Sequence, residues 1–116
     1  MLAADDSPLC AVTFAEVLNS SDVPGGVVNI LTGKEDELYK QMASHMDVNA
    51  IIYSRENKEH LTEIQKIATD NFKRVFSWNY EWTTDEAQSP YLIADCQETK
   101  TTWHPIENIG SSGSGY

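Results

Sequence analysis

Basic residues are scarce in this chain: eight Lys and Arg stand against eighteen Asp and Glu, a formal net charge of -10. A surface of that sign repels phosphate backbones and anionic headgroups. It argues against nucleic acid and membrane surfaces as partners. It leaves room for a nucleotide at a helix N-terminus, where backbone amides outweigh the global field. Long apolar runs are missing too, and none approaches the ~20 residues of a membrane span. The opening Met1-Leu2-Ala3-Ala4-Asp5-Asp6 has no basic region and no apolar stretch, so no secretory signal is legible. Cysteine is limited to Cys10 and Cys96, without CxxC spacing. That fits neither a disulfide scaffold nor a zinc site and makes a reduced, cytoplasmic protein the expectation. His45, His60 and His104 show no ligand spacing with one another or with a cysteine, so no metal site is expected. Neither G-x-G-x-x-G nor G-x-x-x-x-G-K-[ST] occurs, so the common phosphate fingerprints are absent.

What remains is 116 residues, 41% apolar and 22% charged, the composition of one ordinary globular domain. Residues 8–22 predict a helix, capped by Ser7, started by Pro8 and stopped by Val23-Pro24-Gly25-Gly26. Val27-Val28-Asn29-Ile30-Leu31 predicts a strand buried on both faces. Residues 34–45 predict a helix whose first turn carries Glu35, Asp36 and Glu37, where the dipole favours acids. Residues 48–53 predict a second strand, and Ser54 can cap a helix running to about Asp70. Residues 73–78 predict a third strand. Residues 79–89 read as a loop, 91–96 and 98–104 as strand, and the Gly/Ser-rich end from Gly110 to Tyr116 as a flexible tail.

The order α-β-α-β-α-β implies a parallel sheet with helical crossovers. The expected fold class is α/β, an incomplete Rossmann-like three-layer parallel sheet with a C-terminal β extension. The expected organisation is 1–80 Rossmann-like, 81–90 loop, 91–105 β extension and 106–116 tail. Cys10 and Cys96 read more simply as buried structural thiols than as nucleophiles. Thr32-Gly33 ends a strand and opens a helix, the place where open α/β sheets hold ligands, although every such junction has that geometry. Trp78, Tyr80 and Trp82 form a local aromatic cluster, read as a small core or interface patch.

The runs Ser7-Pro8-Leu9, Pro24-Gly25-Gly26-Val27-Val28-Asn29-Ile30-Leu31-Thr32-Gly33 and His45-Met46-Asp47-Val48-Asn49-Ala50-Ile51 resemble the NAD(P)-binding region of aldehyde dehydrogenases. Asn71-Phe72-Lys73-Arg74-Val75 adds to the likeness, which spans about residues 5–76. Glu98-Thr99-Lys100-Thr101-Thr102 resembles the family's C-terminal oligomerisation strand. The resemblance implies NAD or NADP as cofactor, with Asp5, Gly33 and Ser54 as the candidate cofactor-binding residues. It implies a homo-oligomer, or a hetero-oligomer with an active relative, through residues 98–103.

The departures bear on function. The family's F-T-G-S is Tyr53-Ser54-Arg55-Glu56 here, so Arg55 replaces the glycine that lets backbone approach the pyrophosphate. Glu56 adds a carboxylate beside it. Trp78 stands where the family's general-base glutamate is expected, and Cys96 lacks the flanking motif of its nucleophile. The lysine before the first helix is also missing. The chain is expected to skip the catalytic domain and join part of the cofactor domain to the oligomerisation strand. No catalytic residue is assigned. Three readings follow: a pseudoenzyme that acts through oligomerisation, a vestigial nucleotide-binding module that needs a separate catalytic domain, and a small enzyme using Cys96 and His104.

Overall fold

The structure, a computed structural model, describes residues 1–104. Its elements in chain order are α1 (Leu9–Asn19), α2 (Glu35–Ser44), β1 (Ala50–Tyr53), α3 (Lys58–Ala68), β2 (Arg74–Ser77) and α4 (Pro90–Cys96). Single 3-10 turns lie at Thr69–Asn71 and Asp85–Gln88.

The two strands are parallel, with Ala50 opposite Arg74 and Tyr53 opposite Ser77, and α3 makes the crossover between them. Alternation along β1 sends Ile51 and Tyr53 to one face and Ile52 to the other. On the first face, Tyr53 packs with Tyr39 and Ala43 of α2 and Ile64 of α3, bordered by Ile51, Leu61, Ile67 and Val75. Leu61, Ile64, Ile67 and Ala68 recur at helical spacing, which turns one stripe of α3 inward. Ile52 on the opposite face is exposed. The described residues therefore form a mixed α/β unit of two layers, and the expected third layer is not among them.

Local chemistry explains the boundaries. Asn57, not Ser54, caps α3: its Oδ1 accepts from the Glu59 and His60 amides at 3.1 and 3.2 Å. The expected Ser7 cap is likewise absent, because Pro8 occupies the N-cap of α1 and no side chain caps that end. At the end of α2, Lys73 reaches back from the start of β2. Its Nζ donates to the carbonyl of Met42 (3.2 Å), in the last turn of the helix, and to that of His45 (2.5 Å), which also accepts from the Val48 amide. Lys73 is buried, and desolvation lowers its pKa.

Three expected strands need correction. Residues 27–31 make only one parallel bridge, Leu2 to Leu31. Ala3 N–H donates to the Leu31 carbonyl and Leu31 N–H to the Met1 carbonyl, both at 2.8 Å. Among the described residues only Leu2 bridges this segment, and no ladder forms. Val27 and Val28 instead leave a turn in which Val27 N–H donates to the Pro24 carbonyl and Gly26 has φ 85°. Residues 91–96, expected as strand, are helix α4. Ser89 Oγ accepts from the Tyr91 amide and Pro90 takes the first helical position, the ordinary start of a helix. Residues 98–104, expected as the β extension, carry no regular structure and are exposed, because no described strand lies beside them. Pro105 and the 106–116 tail fall outside the described residues.

Candidate functional site

Three strand-to-helix junctions converge at the C-terminal ends of the strand segments, where an open α/β sheet places ligands. The first, after the Leu2 bridge, brings Asp5 and Asp6. The second, after Leu31, brings Glu35 and Asp36 at the start of α2. The third, after β1, brings Ser54, Arg55 and Glu56, with His60 one turn into α3. These side chains line a crevice of about 630 Å³.

Glu35 is its centre. It is buried in the first turn of α2, and its Oε1 accepts from Tyr53 Oη at 2.7 Å and meets His60 Nδ1 at 3.0 Å. Its Oε2 lies 3.1 Å from Arg55 Nε. Burial by itself would raise the Glu35 carboxyl. The His60 and Tyr53 hydrogen bonds and the Arg55 charge outweigh it, and the net shift is downward. Tyr53 is pushed up by burial and by its bond to Glu35. Arg55 extends Nη2 to Asp5 Oδ1 at 3.0 Å and to Asp6 Oδ1 at 3.7 Å. A backbone amide and Arg55 hold the Asp5 carboxyl below its usual range. The His60 ring stacks on Tyr39 at 4.3 Å, and its Nε2 lies 3.3 Å from Asp36.

The expected cofactor residues fall differently. Asp5 and Ser54 both line the crevice. Gly33 does not; it packs on α2, where an added Cβ would come within 2.8 Å of Leu38 Cδ1 at φ 156°. The Leu38 methyl can give way, so the positive φ of the backbone is what favours glycine here. Glu35 and His60 were legible only as a dipole-favoured acid and a histidine without metal spacing. Their partnership depends on α2 and α3 lying side by side, which periodicity does not reveal.

The two cysteines, expected to be buried, are both exposed. Cys10 is exposed because α1 has no buried residue, and Cys96 because α4, which it ends, has none either. Trp78 follows β2, its N–H donating to the Tyr53 carbonyl at 3.3 Å. Its ring contacts Phe76 and Trp82, each with centroids 6.3 Å apart. The position expected for a general base thus holds an aromatic cluster. No group of His, Cys, Asp and Glu among the described residues could hold a metal ion, and no described helix is long and apolar enough to cross a membrane.

A family model described as the aldehyde dehydrogenase family matches residues 2–77. The chain belongs to the aldehyde dehydrogenase family. The chain is 26% identical over 96 residues to the NADP/NAD-dependent aldehyde dehydrogenase PuuC of Escherichia coli K12, covering 82% of this chain and 18% of that protein. It is 31% identical over 72 residues to aldehyde dehydrogenase 1 of Tanacetum cinerariifolium, and 33% identical over 72 residues to a mitochondrial aldehyde dehydrogenase of Leishmania tarentolae. Each of these two matches covers 62% of this chain and 14% of the relative. This aldehyde dehydrogenase relative therefore spans under a fifth of the length of the curated proteins it matches. No solved structure matches it.

The crevice residues do not fit the phosphates of NAD or NADP. Five carboxylates (Asp5, Asp6, Glu35, Asp36, Glu56) face the one guanidinium of Arg55. That guanidinium already has three carboxylate neighbours.

Proposed function

We propose that the chain is a non-catalytic aldehyde-dehydrogenase-like module that works by assembling with another polypeptide of its family. The observation that carries this reading is α1. The helix buries no residue, and Leu9, Val12, Phe14 and Val17 remain 76%, 45%, 43% and 56% exposed. A helix apolar around much of its circumference, with one charged residue in eleven, is built to be covered. Val27, Val28 and Leu31 add exposed apolar surface beside the short Leu2 bridge, and an open edge of this kind is a template for strand addition. The net charge of -10 opposes a second identical copy and favours a different family member. The 98–103 segment, exposed and irregular in the single chain, supplies a second pairing strand.

The family reaction is the NAD(P)-dependent oxidation of an aldehyde to an acid. It requires a thiolate nucleophile, a base to activate water and an amide site for the oxyanion. Trp78 in place of the base supports a chain that does not perform it alone. The test is light scattering of the purified chain, alone and mixed with a full-length aldehyde dehydrogenase, beside an assay for aldehyde-dependent NADH formation. A mixed complex and no turnover by the chain alone are expected. A monomer in both samples, or turnover by the chain itself, overturns the reading.

A second reading, a nucleotide-binding module that works with a separate catalytic domain, draws on Asp5 and Ser54 meeting at one crevice. The chemistry of that crevice opposes it.

A further inference from the structure

We propose that Arg55 closes the crevice from within as an internal cation, so that this chain does not take up NAD or NADP. Three independent features of the crevice converge on this. The first is occupancy. Arg55 bridges the first and third junctions through Asp5 at 3.0 Å and reaches the second through Glu35 at 3.1 Å. A guanidinium that ties all three junctions together stands in the space a dinucleotide would enter. Glu35 cannot swing away cheaply, because it is buried and is also held by Tyr53 and His60. A carboxylate fixed by several donors is a strong partner.

The second feature is charge. With five carboxylates lining the crevice and one guanidinium already paired, a pyrophosphate meets net repulsion at short range. Arg55 does not serve as the phosphate ligand, since Nε and Nη2 already face carboxylates. The third feature is the helix end. A phosphate at a helix N-terminus is held by free backbone amides. In α3 the Glu59 and His60 amides donate to Asn57 Oδ1 instead, at 3.1 and 3.2 Å. Cation, lining and cap each remove one element of a phosphate site.

This inference stands apart from the association reading, which light scattering tests without any nucleotide. Its own test is calorimetric titration of the full chain with NAD and with NADP, repeated on the double variant Arg55→Gly, Glu56→Ser. The wild type is expected to show no saturable binding tighter than about 1 mM. The double variant is expected to gain saturable binding at least tenfold tighter than any wild-type signal. Saturable wild-type binding overturns the proposal, and so does a folded double variant that binds no better. Should that variant fail to fold, the wild-type Arg55 Nε–H resonance decides. It is expected to exchange slowly and to shift in Glu35→Gln, and a freely exchanging Nε–H overturns the proposal.

Discussion

Glu35 joins three elements through one carboxylate, meeting Tyr53 of β1, His60 of α3 and Arg55 of the loop between them. Its pKa is lowered on folding. A depressed carboxyl contributes stability that is complete above its unfolded value, near 4.5, and is lost as pH falls through the lower folded value. Unfolding stability should therefore decline as pH drops below about 5. Glu35→Gln should reduce stability at neutral pH by about 1–3 kcal/mol, since it weakens bonds to the buried Tyr53, the half-buried His60 and the exposed Arg55. It should also flatten the acid-side decline. Denaturant titrations of both proteins across that range check this, and an unchanged acid profile in the variant would remove Glu35 from the account. Lys73 is a second informative residue. Lys73→Met keeps the buried stem but removes the Nζ donor to the Met42 carbonyl and leaves the His45 carbonyl with the Val48 amide alone. A loss of about 1–2 kcal/mol is expected by urea titration.

At the scale of elements, the packed unit is α2, β1, α3 and β2, with Ile64 only 2% exposed at its centre. Ile64→Ala should cost about 2–5 kcal/mol through lost burial and a residual cavity, readable in the thermal midpoint. The caps are separable from that core. Ser89→Ala should weaken α4 by about 1 kcal/mol and leave the amide exchange of β1 and β2 unchanged, because α4 buries no residue. Helices α2 and α3 and strands β1 and β2 were legible in the sequence, since periodicity and β-branched runs report burial directly. Helix α4 has the local look of a strand because Tyr91-Leu92-Ile93 has β propensity, while the helix start depends on Ser89 and Pro90 just before it. Residues 27–31 have the composition of a buried strand, yet a strand needs a run of paired residues on a neighbour, and among the described residues they receive one bridge, to Leu2.

At the scale of the whole molecule, apolar surface is distributed unevenly. One face of the sheet is packed, while α1 and the segment after it stay open. Replacing Leu9 and Val17 with Lys should therefore leave the thermal midpoint within about 0.5 kcal/mol of equivalent stability. It should abolish the mixed complex seen by light scattering. A complex that survives both substitutions would place the interface elsewhere.

The family, the acidic character, both paired strands and the helix that crosses between them could be read from the residues alone. These are properties of residue type and spacing along the chain. The folded chain was needed to show that Asp5, Glu35 and Arg55 form one cluster, that Gly33 sits at a positive φ away from it, that Lys73 caps α2, and that both cysteines lie in solvent. Asp5 and Arg55 are 50 positions apart, and what joins them is the convergence of strand ends. Local periodicity carries no record of which distant residues a parallel crossover brings to the same edge.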